Sequence, residues 1–258
     1  MMHKKFQVLL IVILLISNVS FAHEPIYGLG PETLPKHLHA IEFGTLVRQG
    51  QLEYTLGYGF GITENLTVRL DATTNSNNSA FGVKEATIKT KIALWRKLSP
   101  GVLKRLTLIA AIKLPTSDLN SNPTSVTAYT IGLANGYESR RWYYFSDISY
   151  TYLQAKWGNQ IGGKVKYNLV GGIRPIKSGY LKPDLVVLVE LNGELRGKSH
   201  LNNKKINQSG GNTLAVAPGF LLSYRNIMLK GGVQFGISNT NYINRPKTNG
   251  LVTLEYHF

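Results

Sequence analysis

The sequence predicts an all-β protein, an antiparallel transmembrane β-barrel of about twelve strands and of the outer-membrane type. Three observations predict it. Apolar and polar residues alternate through almost the whole chain beyond residue 37. The alternating runs are about ten residues long, enough to cross a bilayer as a tilted strand. The chain also ends on such a run, with Val252, Leu254, Tyr256 and Phe258 on one face and Thr253, Glu255 and His257 on the other. A terminal strand is an exposed edge in an open sheet, and closure against the first strand removes that edge.

Met1 to Ala22 reads as a secretory signal. Lys4 and Lys5 form its positive start, Val8 to Ile16 its apolar run, and Ser20-Phe21-Ala22 its small-x-small cleavage pattern. The apolar run is too short for a spanning helix, which needs about 20 residues. Residues 23–36 hold three prolines and two glycines and read as an extended periplasmic segment. Gly28-x-Gly30 is not a phosphate loop, because no strand precedes it and no helix can follow Pro31. Residues 37–258 are expected to form the barrel.

The first strand, near 38–47, carries Ile41, Phe43 and Val47 against Glu42. The next alternates cleanly, with Leu52, Tyr54, Leu56, Tyr58, Phe60 and Ile62 against Gln51, Glu53, Thr55, Gly57, Gly59 and Gly61. Thr63-Glu64-Asn65 turns the chain into Leu66, Val68 and Leu70, opposed by Arg69 and Asp71. Further strands follow over 85–94, 106–114, 129–133, 142–152, 161–169, 185–191, 213–224 and 227–238, each on the same period of two.

Connections at 63–65, 137–140 and 225–226 are short. Those at 74–83, 115–125, 196–211 and 239–249 are longer and rich in Asn, Ser, Thr and Gly. Tight turns at one end and long loops at the other separate a periplasmic from an outer side. The short connection 48–50 and the long one 174–183 depart from that scheme. Tyr58, Phe60, Trp142, Tyr144, Tyr224, Tyr256 and Phe258 fall near the periplasmic ends, and Tyr129, Tyr150 and Tyr152 near the outer ends, where headgroup belts place aromatic rings.

Lysine and arginine number 29 against 14 aspartates and glutamates. The inward face does not hold this excess. Its basic candidates are Arg69, Lys89, Lys91, Lys113, Lys164, Lys166 and Lys230. Its acidic ones are Glu42, Glu53, Asp71, Glu85, Asp147, Glu190, Glu194 and Glu255. So balanced a lining argues against strong ion selection. Either these groups cross-brace a closed polar interior or they line a narrow water-filled pore. Lys164 or Lys166 is expected to meet Glu190 or Glu194 across the ladder. The surplus cations fall in outer loops, at Arg196, Lys198, Lys204, Lys205, Arg245 and Lys247, where lipopolysaccharide phosphates are the expected partners. Nucleic acid is not, since the basic residues do not interleave with exposed aromatics on one face.

The chain has no cysteine, which excludes disulfides and thiolate chemistry. His37-x-His39 with His23 makes at most a weak metal site, and no metal or cofactor is expected. Ser199-His200 lies in a polar loop with no acid or amide placed to orient the imidazole, so no catalytic residue is expected.

Gly57-Tyr-Gly-Phe-Gly-Ile-Thr-Glu-Asn-Leu66, Leu106-Thr-Leu-Ile-Ala-Ala-Ile-Lys-Leu-Pro-Thr-Ser-Asp118 and Leu188-Val-Glu-Leu-Asn-Gly-Glu194 resemble the family called MetA-pathway of phenol degradation. Ser117 stands where that pattern usually has Gly. The resemblance covers roughly residues 50–258. It implies an outer-membrane barrel that passes small or hydrophobic compounds, and it supplies no catalytic residues. The terminal strand likewise resembles the closing strand by which barrel-assembly machinery recognises its clients, with Tyr256 and Phe258 as the aromatic signal and Thr253 where a smaller residue is usual. The expected function is passive passage of small solutes, hydrophobic or aromatic ones among them, in the outer membrane after export. The alternatives are a structural or surface-binding barrel with a closed lumen, or a lipid-modifying enzyme.

Overall fold

The structure is a computed structural model and describes residues 24–48, 50–75, 83–116, 126–156, 158–176, 182–239 and 248–258. The signal expected over 1–22 lies outside the described residues, as do His23, Arg245 and Lys247. The described residues form fourteen strands: β1 His39–Arg48, β2 Gln51–Thr63, β3 Leu66–Asn75, β4 Glu85–Ser99, β5 Val102–Pro115, β6 Ala128–Ser139, β7 Trp142–Leu153, β8 Lys164–Ile173, β9 Asp184–Arg196, β10 His200–Leu201, β11 Lys204–Lys205, β12 Gly211–Tyr224, β13 Ile227–Asn239 and β14 Thr248–His257. Twelve of them close into an antiparallel barrel in the order β1-β14-β13-β12-β9-β8-β7-β6-β5-β4-β3-β2.

The last strand closes the barrel. β14 pairs with β1 from Ala40↔His257 to Arg48↔Asn249. One step further, His39 and Phe258 exchange both backbone hydrogen bonds at 2.9 Å. The Phe258 ring stacks on His39 at 5.3 Å and on Tyr256 at 5.8 Å. A closed ladder pairs the backbone polar groups internally, which the hydrocarbon of a bilayer demands.

Period-two alternation puts the apolar side chains outside. Leu56, Leu70, Ile131, Ile148, Leu169 and Val252 are each more than half exposed, which is lipid-facing surface rather than core. The partners of these positions across the wall, such as Thr67, Thr107, Asp147 and Glu190, are buried.

Two features were not legible in the pattern. β4 and β5 run past 94 and begin before 106, meeting at a tight turn after Ser99. A bulge between Ala93 and Trp95 reverses the facing there, and Arg96, Lys97, Lys104 and Arg105 hide the strands by breaking the apolar run. At the barrel end opposite His39 and Phe258, β10 and β11 form a hairpin whose turn residues Asn202 and Asn203 both have positive φ, the geometry that asparagine tolerates. The hairpin docks on loop 154–163 through Asn203 N to Gly158 O at 2.9 Å and the Gln160↔His200 bridge.

Candidate functional site: the lumen and the segment inside it

Residues 24–36, expected to extend into the periplasm, instead lie within the barrel. Their backbone chemistry explains how. Pro25, Pro31 and Pro35 have no amide hydrogen, so burial leaves few donors to satisfy. The wall supplies acceptors for the others. The amides of Ile26 and Tyr27 donate to the Glu190 carboxylate at 2.5 and 3.0 Å. Leu29 N donates to Asp147 Oδ2 at 2.9 Å and Leu34 N to Thr67 Oγ1 at 2.7 Å. Thr107 Oγ1 donates to Pro31 O at 2.5 Å. Two carboxylates on the segment meet wall cations, Glu24 with Lys91 and Glu32 with Arg105.

The wall makes room with missing side chains. A Cβ on Gly61 would lie 1.9 Å from Pro35 O, and one on Gly219 would lie 2.2 Å from the Ile26 side chain. Glycine at these two inward positions is a steric requirement of the seated segment.

The lumen has two unlike sides. Along β7, β8, β9, β12 and β13 an apolar cluster of Tyr143, Phe145, Val170, Val186, Leu188, Leu221 and Met228 packs around Ile26. This corrects the expected all-polar interior. Both faces of these strands carry apolar side chains at the end that holds His39 and Phe258, so the inner face packs as a core against the segment. Arg174 closes the cluster at that end through Asp184 and the Tyr143 hydroxyl. Burial opposes the charge of Arg174, and Asp184 more than offsets it, holding the guanidinium above its ordinary range.

The opposite side is ionic. Arg69 takes Glu42 through both terminal nitrogens, at 2.7 and 3.1 Å, and Asp71 through Nε at 2.5 Å. Lys89 lies 3.7 Å from Asp71 and Lys230 3.4 Å from Glu42. Glu24 of the segment joins this group through Lys91. These groups line a cavity of about 240 Å³. A second cavity, about 460 Å³, lies toward the outer side above Tyr27 and is lined by Lys166, Asn168, Asn192, Gln234 and Asn249. A row of amides floors it. Asn168 donates to Asp147 at 2.6 Å, Asn192 to Asn168, Gln234 to Asn192 and Asn249 to Gln234, each at 2.9 Å. β12 places Ala215 and Ala217 at this level, so Gln234 reaches across it.

The expected lumen residues are therefore split among different jobs. Arg69, Asp71, Lys89, Lys91 and Lys230 come together. Lys113 pairs with Glu85 at 3.0 Å, nearer the outer rim. Register sets Lys166 opposite Glu194, as expected, but Lys164 opposite Arg196. Glu194 also holds Arg196 at 3.1 Å. Glu190 is the correction: it faces Val170 across the ladder and spends its oxygens on the segment amides, not on a lysine. Sequence reasoning missed Glu24, Glu32 and Arg105; alternation set Thr67, Thr107, Asn168, Asn192 and Gln234 facing inward without showing what they meet. The available signals were the prolines of 25–35 and the inward glycines Gly57, Gly59 and Gly61.

His39 Nδ1 contacts the Tyr58 hydroxyl at 2.7 Å, and among the described residues no group of three potential metal ligands forms. Ser199 Oγ accepts from Gly162 N at 3.1 Å while the His200 backbone pairs with Gln160, so both residues brace the outer hairpin.

No family model and no curated protein matches the sequence. Solved structures do match. The chain is similar to the COG4313 outer membrane channel from Pseudomonas putida, with a TM-score of 0.64 and 11% identity over 88% of this chain and 97% of that one. It is also similar to the NanC porin, with a TM-score of 0.53 and 8% identity over 84% of this chain and 98% of that one. At these identities the likeness establishes the fold, a twelve-stranded antiparallel barrel of the outer-membrane type.

Proposed function

We propose that this protein is an outer-membrane channel for passive passage of small solutes, with residues 24–36 setting its aperture. The observation that carries the reading is a lumen with two cavities, of about 460 and 240 Å³, separated by a segment rather than by the wall itself. The outward apolar surface supports the membrane placement, and the names of the two similar structures agree with a channel. Export through the inner membrane and folding by the assembly machinery belong to the same reading. Lys198, Lys204 and Lys205 are exposed on the outer side, where lipopolysaccharide phosphates would meet them.

The charged and amide groups of the two cavities suit small polar solutes, and apolar side chains stand among them. Hydrophobic or aromatic ones, implied by the family resemblance, would meet Leu214, Ala215 and Ile237 in the larger cavity and Leu46 and Leu251 in the smaller. A second reading rests on the same segment: if it never leaves, the barrel is closed and serves a structural or surface role. Deleting residues 24–34 tests both. Planar-bilayer conductance should be small in the full chain and several-fold larger in the deletion. Absence of current from both proteins would reject the channel. Liposome swelling with glycerol, arabinose and phenol then ranks the solute classes.

A further inference from the structure

The outward face of the barrel carries an anomaly on β6 and β7. Asn135 and Ser146 are cross-strand partners, and alternation points both away from the lumen. They sit one outward row above Tyr137 and Tyr144 and two above Trp142, the aromatic ring of the periplasmic end. The outward residues on the next row, Leu133 and Ile148, are apolar and exposed. Among the described residues neither the amide nor the hydroxyl has a hydrogen-bond partner in the protein. An amide facing lipid without a partner is unfavourable, because hydrocarbon returns none of the hydrogen bonds lost from water.

Beside this pair lies a groove of about 400 Å³, lined by Asn135, Tyr144, Ser146, Leu169, Gly171, Val189 and Leu191. Gly171 opens it, since nothing lies within 4 Å of where its Cβ would stand. At the rim below, Lys104 lies over the Tyr137 ring at 5.5 Å and Arg141 over Trp142 at 5.8 Å. Lys104 and Arg141 lie nearest the rim, the hydrogen-bond donors stand further in, and the apolar trough flanks the donors on β8 and β9, with Leu169 opposite Ser146 and Gly171 opposite Tyr144. A glycerophospholipid carries its phosphate, its ester carbonyls and its acyl chains within reach of these three kinds of group.

We propose that the outward face of β6–β9 is a binding site for an anionic glycerophospholipid of the periplasmic leaflet. Asn135 Nδ2 and Ser146 Oγ donate to its ester carbonyls, Lys104 and Arg141 meet its phosphate, and one acyl chain lies along Gly171. The inference rests on the membrane placement proposed above but not on an open lumen, so it stands or falls apart from conductance.

The test is native mass spectrometry of the full chain released from detergent micelles with added dioleoylphosphatidylglycerol or dioleoylphosphatidylcholine. The wild type should retain phosphatidylglycerol in preference to phosphatidylcholine. N135L/S146A, which only makes the lipid face more apolar, should lower the retained fraction about 5–30-fold, the effect of one to two lost hydrogen bonds. Gly171→Leu, which fills the trough and leaves the donors in place, should lower it as well. K104Q/R141Q should abolish the preference between the two lipids. Equal retention by the wild type and both groove variants would overturn the site. A lipid-free wild-type dimer that N135L/S146A converts to monomer would also overturn it, and would make this face a contact between copies.

Discussion

The two sides of the lumen hold the same segment by opposite means. On the β7–β9 and β12–β13 side Ile26 sits in a dry cluster with Leu188, Leu221 and Val186, the latter two fully buried. On the other side Glu24 joins a network with Lys91, Glu42 and Arg69 of β1, β3 and β4 and with Lys230 of β13, beside a cavity. Apolar packing depends on shape and is indifferent to salt, whereas ion pairs next to water are screened and exchangeable. The segment is thus anchored at Ile26 and adjustable at Glu24.

The largest expected difference comes from placing a charge on each side. Leu188→Asp puts an unpaired carboxylate into the dry cluster and should cost about 3–5 kcal/mol of folding stability. Thr55→Asp adds the same charge beside Arg69 and Lys89 and should cost about 1 kcal/mol, mostly the lost hydrogen bond to Thr73. Urea unfolding in lipid vesicles compares them, and equal losses would sink the distinction between the two sides.

Smaller effects separate anchor from adjustment on the segment itself. Ile26→Ala should loosen its docking by about 2–5 kcal/mol. Glu24→Gln should loosen it by about 1–3 kcal/mol. Hydrogen exchange at the Leu29 and Leu34 amides reads both, and only the Glu24 contribution should shrink as salt is raised. Faster exchange in Glu24→Gln than in Ile26→Ala would reverse the assignment.

The smallest effect is expected at the outer rim. The Lys113 and Glu85 side chains are 42% and 33% exposed, so their ion pair is screened. Lys113→Gln should change stability by less than about 1 kcal/mol in the same unfolding assay. A larger loss would mean that the rim is drier than its exposure indicates.

Alternation alone specified the barrel. A period of two assigns each residue to one wall face, so the outward position of Leu70 and the inward position of Arg69 follow from their neighbours. The same logic reached Asp71, Lys89, Lys91 and Lys230 as lumen residues and placed Phe258 at the seam. It did not reach the partners. Whether Glu190 answers a lysine or two backbone amides depends on what fills the lumen, and residues 24–36 carry no periodicity to announce where they go. Thr107 shows the consequence: its side chain faces inward as alternation requires, yet it is fully buried against Pro31 rather than facing water. Facing is a local property of the strand. Contact across the lumen joins residues more than a hundred positions apart, such as Ile26 and Glu190, and only the closed barrel brings them together.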